Sequence, residues 1–325
     1  MQLFDAICIG DAIVDLFVSP VPGGNRYRVD KDKEELAIRL GEKIMVDRSA
    51  FTVGGNATHV AMGLSRLGHR VGLGIEIGTD EFAEKILRDL DKERVSKNLL
   101  VQTPGAASSF TVSVSVGDDR VIFVSHVERE HHIPLDNVST PWVFLTSMGN
   151  KWEEMYAKTL AFVKESGAQL AFNPGSTQMK KGKDAFADII AACDILFVNK
   201  EEAEEMLYGK ILPYEQKESC ESLLFRLNRM GPKTVVITDG ENGSFAIDAA
   251  NHIYTQPVFA VEITEKTGAG DGFTAGFLAA TMAGKTIPEA LLWGTAEAAG
   301  VITKVGAQEG LLTKQELENM IQTHQ

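Results

Sequence analysis

Six short apolar runs constrain this chain more than any other feature: DAICIG (5–10), VGLGIEIG (71–78), WVFLTS (142–147), AQLAFNP (168–174), DILFVNK (194–200) and KTVVITDG (233–240). Each stops near Gly, Asn, Pro or Asp, and runs this short and this continuously apolar read as strands buried on both faces. Between them NATHVAMGLSRLG, EFAEKILRDL, WEEMYAKTLAFVKES and EEAEEMLYG carry the 3.6-residue periodicity of amphipathic helices. The alternation predicts an α/β chain, a parallel sheet covered by helices. After residue 240, GSFAID and HIYTQPV predict antiparallel strands, and from 268 onward the pattern is mostly helical.

Two regions break the alternation. In SSFTVSVSVGDDRVIFVSH (108–126), Phe110, Val112, Val114 and Val116 alternate with Thr111, Ser113 and Ser115, and GDDR supplies a turn before VIFVS returns. This predicts a hairpin with one apolar and one polar face. With AIVDLFVS (12–19) and KIMVD (43–47) it predicts a small separate sheet placed to act as a lid, inserted into one domain that spans 1–325.

Composition narrows the function. Lys plus Arg is 32 against 45 Asp plus Glu, a net charge of −13, so the bulk surface repels nucleic acid and anionic lipid. An anionic ligand must then be held by local dipoles and a few placed cations. Cys8, Cys193 and Cys220 are too few and too scattered for a disulfide framework or a zinc knuckle. No run reaches the length of a membrane span, and the expectation is a reduced, cytoplasmic protein.

TEKTGAGDGFTAG (264–276) places Gly268, Ala269, Gly270 and Asp271 at a helix start. Unpaired N–H groups, the positive end of the helix dipole and small residues make an anion cradle there. A phosphate would repel Asp271, so the carboxylate calls for a further role, and taking the proton from an attacking hydroxyl is one. A tight turn followed by a first-turn acid explains GAGD equally well when it is read alone. Gly54 and Gly55 permit backbone approach before a helix capped by Asn56, whose amide can donate and accept toward hydroxyls. Asp11 and Asp15 in IGDAIVD end the first strand and can accept from polyol hydroxyls.

Asn199 and Glu202 in NKEE offer oxygen atoms to a hydrated Mg2+, or simply an N-cap with acids in the first turn. Thr238, Gly240 and Gly243 in TDGENG permit approach of a nucleotide or a hairpin turn. His59, His126, His131 and His132 lack metal-ligand spacing and are assigned to the surface or the lid. There is no GxxxxGK[ST] loop and no GxGxxG after the first strand, which counts against a dinucleotide-binding oxidoreductase.

GGNATHVAMGLSRLG and TGAGDGFTAG, in that order and at this separation, resemble the paired signatures of the ribokinase-like (PfkB) carbohydrate kinases. IGDAIVD, NKEE, TDGENG and KVGAQ fall in the family's order too, so the resemblance spans nearly the whole chain. It implies a three-layer α/β fold with a β lid, and transfer of the ATP γ-phosphoryl group to a hydroxyl of a small sugar-like polyol. It matches Asp271 to the catalytic base and Gly268, Ala269 and Gly270 to the anion hole. Asp15, Gly54, Gly55 and Asn56 match the substrate side, where Asp11 is also placed. Asn199 and Glu202 match an NxxE motif linked to Mg2+ and phosphate, with Glu202 acting through water. Thr238, Gly240, Gly243, Gly306 and Ala307 match the nucleotide side.

Two departures qualify the resemblance. Glu265-Lys266 stands where many members carry Asp-Thr or Asp-Pro, so Glu265 marks the monovalent-cation region while a potassium requirement is put in doubt. Val14 replaces the polar residue that ribokinases place before the sugar-binding aspartate, which weakens ribose as the acceptor. Arg120 and Arg129 are the lid cations available to a substrate phosphate, and Phe17, Phe110 and Phe123 the rings available to a nucleoside base. A ribonucleoside kinase and a catalytically silent sugar-binding regulator are the rival readings. The apolar face of the hairpin predicts a homodimer through paired lids.

Overall fold

The computed structural model describes residues 2–21, 27–30, 33, 35–116 and 119–324. Six parallel strands form most of an eight-stranded sheet: β1 (Ala6–Ile9), β4 (Val71–Gly74), β7 (Trp142–Leu145), β8 (Gln169–Phe172), β9 (Ile195–Asn199) and β10 (Thr234–Thr238), while β2 (Ile13–Pro20), β3 (Val46–Gly54), β5 (Phe110–Val116) and β6 (Asp119–Ser125) belong to the lid. β11 (Ser244–Ile247) and β12 (Ile253–Gln256) extend it antiparallel, in the order β12-β11-β10-β9-β8-β7-β1-β4. The expected strand 71–78 stops at Gly74. Glu76–Ile77 instead pairs in parallel with Val101–Gln102 as a separate two-stranded piece.

Helices cover both faces of the sheet, as its fully apolar strands require. α1 (Asn56–Arg66), α2 (Glu81–Lys92), α5 (Ala269–Met282), α6 (Ile287–Ile302) and α7 (Lys314–His324) pack into one core. α3 (Glu153–Ser166), α4 (Lys200–Tyr208) and the helices Ala187–Ala192 and Cys220–Asn228 fill the other. This is the three-layer α/β arrangement. All three cysteines are buried free thiols. Among the described residues no helix is long and apolar enough to cross a membrane.

β2 (Ile13–Pro20), β3 (Val46–Gly54), β5 (Phe110–Val116) and β6 (Asp119–Ser125) form the second sheet, in the order β6-β5-β2-β3. β3 lies further along the chain than the expected 43–47, because its register with β2 runs from Val46 to Gly54. A hairpin of Tyr27–Asp30 with Glu35–Ile38, unforeseen in the sequence, lies beside it. Gly117 and Asp118 of the expected turn fall outside the described residues.

The polar face of the 108–126 hairpin turns inward, with Thr111 and Ser113 buried. Its apolar face is partly covered within the chain. Phe51 and Phe110 flank Phe82 of α2 at 5.9 and 5.3 Å, and Val18, Val46 and Val114 share an apolar groove with Tyr27, Leu36 and Ile38. Val121, Ile122, Phe123 and Val124 of the edge strand β6 remain exposed.

Candidate active site

The chain runs from β1 outward to β4 on one side and from β7 through β10 on the other, so the sheet order reverses between β1 and β7. A crevice opens at such a point beyond the carboxyl ends of parallel strands. Asp11 follows β1 there and donates its N–H to Ser147 O (2.9 Å) just past β7. Its Oδ2 is buried without a partner, and burial raises its pKa to about 7 against a Gly149 N–H and the Arg129 charge. Arg129 itself is buried and donates to Ala107 O.

Gly54 and Gly55 bring the start of α1 against this turn. A Cβ on Gly54 would meet Asp15 Oδ2 at 2.1 Å, and one on Gly55, whose φ is +98°, would meet Asp11 O at 2.3 Å. The backbone itself requires glycine at 55, while a side chain at 54 would displace those of Asp15 and Ile13. Asn56 Nδ2 lies 3.4 Å from Asn173 Oδ1, which also receives Thr146 Oγ1 at 3.4 Å, while Asn173 Nδ2 donates to Phe197 O (2.9 Å). Asn173 went unnoticed in the sequence. Its signal was a polar residue closing an apolar run, the same signal as Asp11 and Asn199.

Asp15 sits in the lid, with Thr52 and Thr111 as its register partners on the two neighbouring strands. Thr111 donates to Asp15 Oδ1 at 2.5 Å. Burial raises the Asp15 pKa, opposed by that hydrogen bond and by His59, and assisted by the charges of Glu265 and Asp271. The lid acid and the acid of GAGD are therefore near enough for their charges to act on each other, with His59 acting on both.

Gly268 adopts the left-handed conformation (φ +81°) at the start of α5, and no side chain caps the helix. The Ala269 N–H turns back to Lys266 O (3.3 Å), leaving the N–H groups of Gly270 and Asp271 without an acceptor among the described residues. A Cβ on Gly268 would lie 2.3 Å from Ala307 Cβ, which puts Gly306 and Ala307 against this turn. Glu265 Oε2 accepts the Gly306 N–H (2.9 Å), fastening that loop, and Arg120 of the lid donates to Thr267 Oγ1 (2.6 Å).

One residue assigned to the surface or the lid belongs here instead. His59 is buried on α1, its Nδ1 2.8 Å from Asp271 Oδ2 and its Nε2 3.2 Å from Val53 O. Nothing local marks it, since α1 and α5 meet only in the folded chain.

Asn199 and Glu202 form a capping box at the start of α4: Asn199 Oδ1 accepts the Glu202 N–H (2.8 Å) and Glu202 Oε2 accepts the Asn199 N–H (2.9 Å). Burial raises the Glu202 pKa to about 7, opposed by the Asn199 N–H and assisted by Asp271, Glu201 and Glu205. Asn199 is the register partner of Thr238, and Lys200 Nζ bonds Asp239 Oδ2 (2.9 Å), so NKEE and TDGENG are one unit. Gly240 begins a short 3-10 turn, and Gly243 is required by the backbone itself, since a Cβ there would meet Gln256 O at 2.3 Å. No cluster of three or more His, Cys, Asp or Glu among the described residues is arranged to hold a metal ion.

An uncharacterized sugar kinase of Archaeoglobus fulgidus is 28% identical over 77% of this chain and 98% of its own length. A 5-dehydro-2-deoxygluconokinase of Halalkalibacterium halodurans is 22% identical over 98% of this chain and 95% of its own. The structure of Arabidopsis thaliana ribokinase complexed with ribose and ATP superposes with a TM-score of 0.79 at 20% identity, covering 99% of both chains. Residues 25–314 match the pfkB family carbohydrate kinase, and the chain belongs to that family, phosphotransferases that act on a sugar hydroxyl.

Proposed function

We propose that the protein transfers the γ-phosphoryl group of ATP to a hydroxyl of a small sugar or sugar-like polyol, with Asp271 as general base. One observation carries this reading: Asp271 lies in the first turn of an uncapped helix with free N–H groups, near enough to the lid acid Asp15 for the two charges to act on each other. Asp11, Asp15 and Asn56 accept and donate to acceptor hydroxyls, and the Gly54–Gly55 backbone lets the sugar approach. Asp271 removes the proton as the hydroxyl attacks in line, and the Gly268–Asp271 turn stabilises charge on the transferred group.

The donor set near Glu202 suits a hydrated Mg2+ carried in with phosphates rather than a protein cage. Two acids, Glu202 and Asp271, act on each other there, and a cation would relieve them. Mg2+ bound in this way would neutralise phosphate charge. Thr238, Gly240, Gly243, Gly306 and Ala307 form the nucleotide side. Glu265 is already engaged by Gly306, and a monovalent cation near it is a lesser part of the proposal.

A nucleoside base would need free lid aromatics. Phe110 packs on Phe82 and Phe123 lies on the outer edge strand, which leaves Phe17, on the same lid face as Asp15, as the ring a base could stack on. The exposed Val121–Val124 strip supports a lid-mediated homodimer, and a monomer in sedimentation would remove it.

The test is ADP release from MgATP across free sugars, sugar acids, phosphosugars and nucleosides, with Asp271→Asn as the blank. The expected result is turnover on one class of acceptor that Asp271→Asn lowers by roughly 10²–10⁴-fold. A folded variant with near-normal turnover removes Asp271 from the mechanism.

A further inference from the structure

We propose that His59 is a positioning residue for the base: as an imidazolium it ties one oxygen of the Asp271 carboxylate and leaves the other to the acceptor hydroxyl. The inference rests on the kinase reading above and starts from proton placement. Nε2 lies 3.2 Å from Val53 O, and a carbonyl can only accept, so Nε2 carries a proton. Nδ1 lies 2.8 Å from Asp271 Oδ2, a separation at which two bare lone pairs repel, so a second proton lies between them. A ring protonated at both nitrogens beside a carboxylate satisfies both contacts.

The surroundings favour that charge state. Burial opposes it, but the Asp271 hydrogen bond and charge, the Asp15 charge and the Val53 carbonyl outweigh burial and raise the His59 pKa. The charged groups that act on the ring are both acids, Asp271 and Asp15. Val53 O also accepts Gln308 Nε2 (2.7 Å). One carbonyl at the end of lid strand β3 thus anchors both the base's partner and the loop that carries Gly306 and Ala307. Asp271 is held from two directions, by its own helix and by a ring whose other nitrogen is fixed to the lid strand.

A bland alternative is an ion pair that merely joins α1 to α5. Three proteins separate the two: wild type, His59→Leu, which removes both contacts, and His59→Asn, whose amide nitrogen can take the place of Nδ1. Positioning predicts that His59→Leu lowers kcat by about 10²-fold with the KM values for ATP and acceptor within about threefold, the loss expected when a reacting group is misplaced by an ångström. His59→Asn should recover most of kcat whatever its melting temperature. Equal losses in both variants, or a folded His59→Leu with wild-type kcat, overturn the proposal.

Nitrogen-15 NMR of histidine-labelled protein supplies a readout independent of turnover. In a pH titration both His59 nitrogens should stay protonated to higher pH in wild type than in Asp271→Asn, where the carboxylate that holds the second proton is gone. A neutral ring in wild type overturns the proposal while leaving the kinase reading intact. A protonated ring in a protein with no Asp271-dependent turnover on any acceptor overturns the kinase reading, and the positioning role with it.

Discussion

Glu297 gives the sharpest quantitative test of the fold. It is fully buried on α6; its Oε1 accepts the Leu312 N–H (2.9 Å) and its Oε2 has no partner. Burial raises its pKa from 4.5 to about 8, opposed by the Leu312 N–H and Arg66 and assisted by Glu316. The folded protein therefore holds a proton on Glu297 that the unfolded chain releases above pH 4.5. The sign follows from that difference: stability from this group is fully present below about pH 4.5 and is lost as pH rises to about 8. At about 1.4 kcal/mol per unit, the loss is roughly 3–5 kcal/mol, the lower figure allowing for local relaxation around the charge.

Glu297→Gln keeps the acceptor for Leu312 and cannot ionise. Near pH 5 it should be less stable than wild type by about 1 kcal/mol, because its amide leaves buried donors unpaired. Near pH 9 the order should reverse, by roughly 3 kcal/mol. Urea unfolding of the two proteins at pH 5, 6, 7, 8 and 9 measures this directly. Asp11 and Glu202 titrate in the same window, and comparison with the variant cancels them. A difference between wild type and variant that stays constant from pH 5 to 9 refutes the reasoning, since Glu297 would then ionise in the folded protein without penalty.

Two further substitutions probe the site and its support. Gly268→Ala puts a Cβ 2.3 Å from Ala307 Cβ and forces a left-handed conformation on alanine; it should lower stability by about 1–3 kcal/mol and weaken ATP more than acceptor, and unchanged ATP kinetics would separate Gly306–Ala307 from the nucleotide. Asp80 caps α2 through the Ala83 N–H (3.0 Å) and holds Ser108, before the lid hairpin, through its N–H and Oγ (both 2.7 Å). Asp80→Ala should lose roughly 2–3 kcal/mol in urea unfolding, and a loss below about 0.5 kcal/mol would show that the cap and the Ser108 link are replaced by water.

The central strands were legible because both their faces are buried, which makes their sequences continuously apolar whatever their neighbours. The lid was less so. β3 reads VDRSAFTVG, with Asp47 and Arg48 at its outer end, and only pairing with β2 makes it a strand. The hairpin's two faces were read correctly as unlike, but which one turns inward depends on Asp15 on the adjacent strand, bonded to Thr111. The Asn199–Glu202 capping box lies within four residues and could be read directly. His59 and Asp271 are 212 residues apart, and no local pattern links them.

The acidity of the chain makes sense of how its crevice is built. With a net charge of −13, the protein as a whole disfavours phosphate, so attraction must be short-ranged. Under the proposed function the free N–H groups at the start of α5 would be such a source, with Arg120 adding a lid cation beside Thr267. Most of the nearby carboxylates are engaged: Asp15 by Thr111, Glu202 by Asn199, Glu265 by Gly306 and Asp271 by His59. Partnered acids keep fixed orientations, and Asp11 and Glu202, each with a pKa near 7, carry a reduced charge at neutral pH. Net charge therefore misleads as a guide to this site, because acids that would repel phosphate from an open surface are here hydrogen-bonded, partly protonated or paired with a histidine.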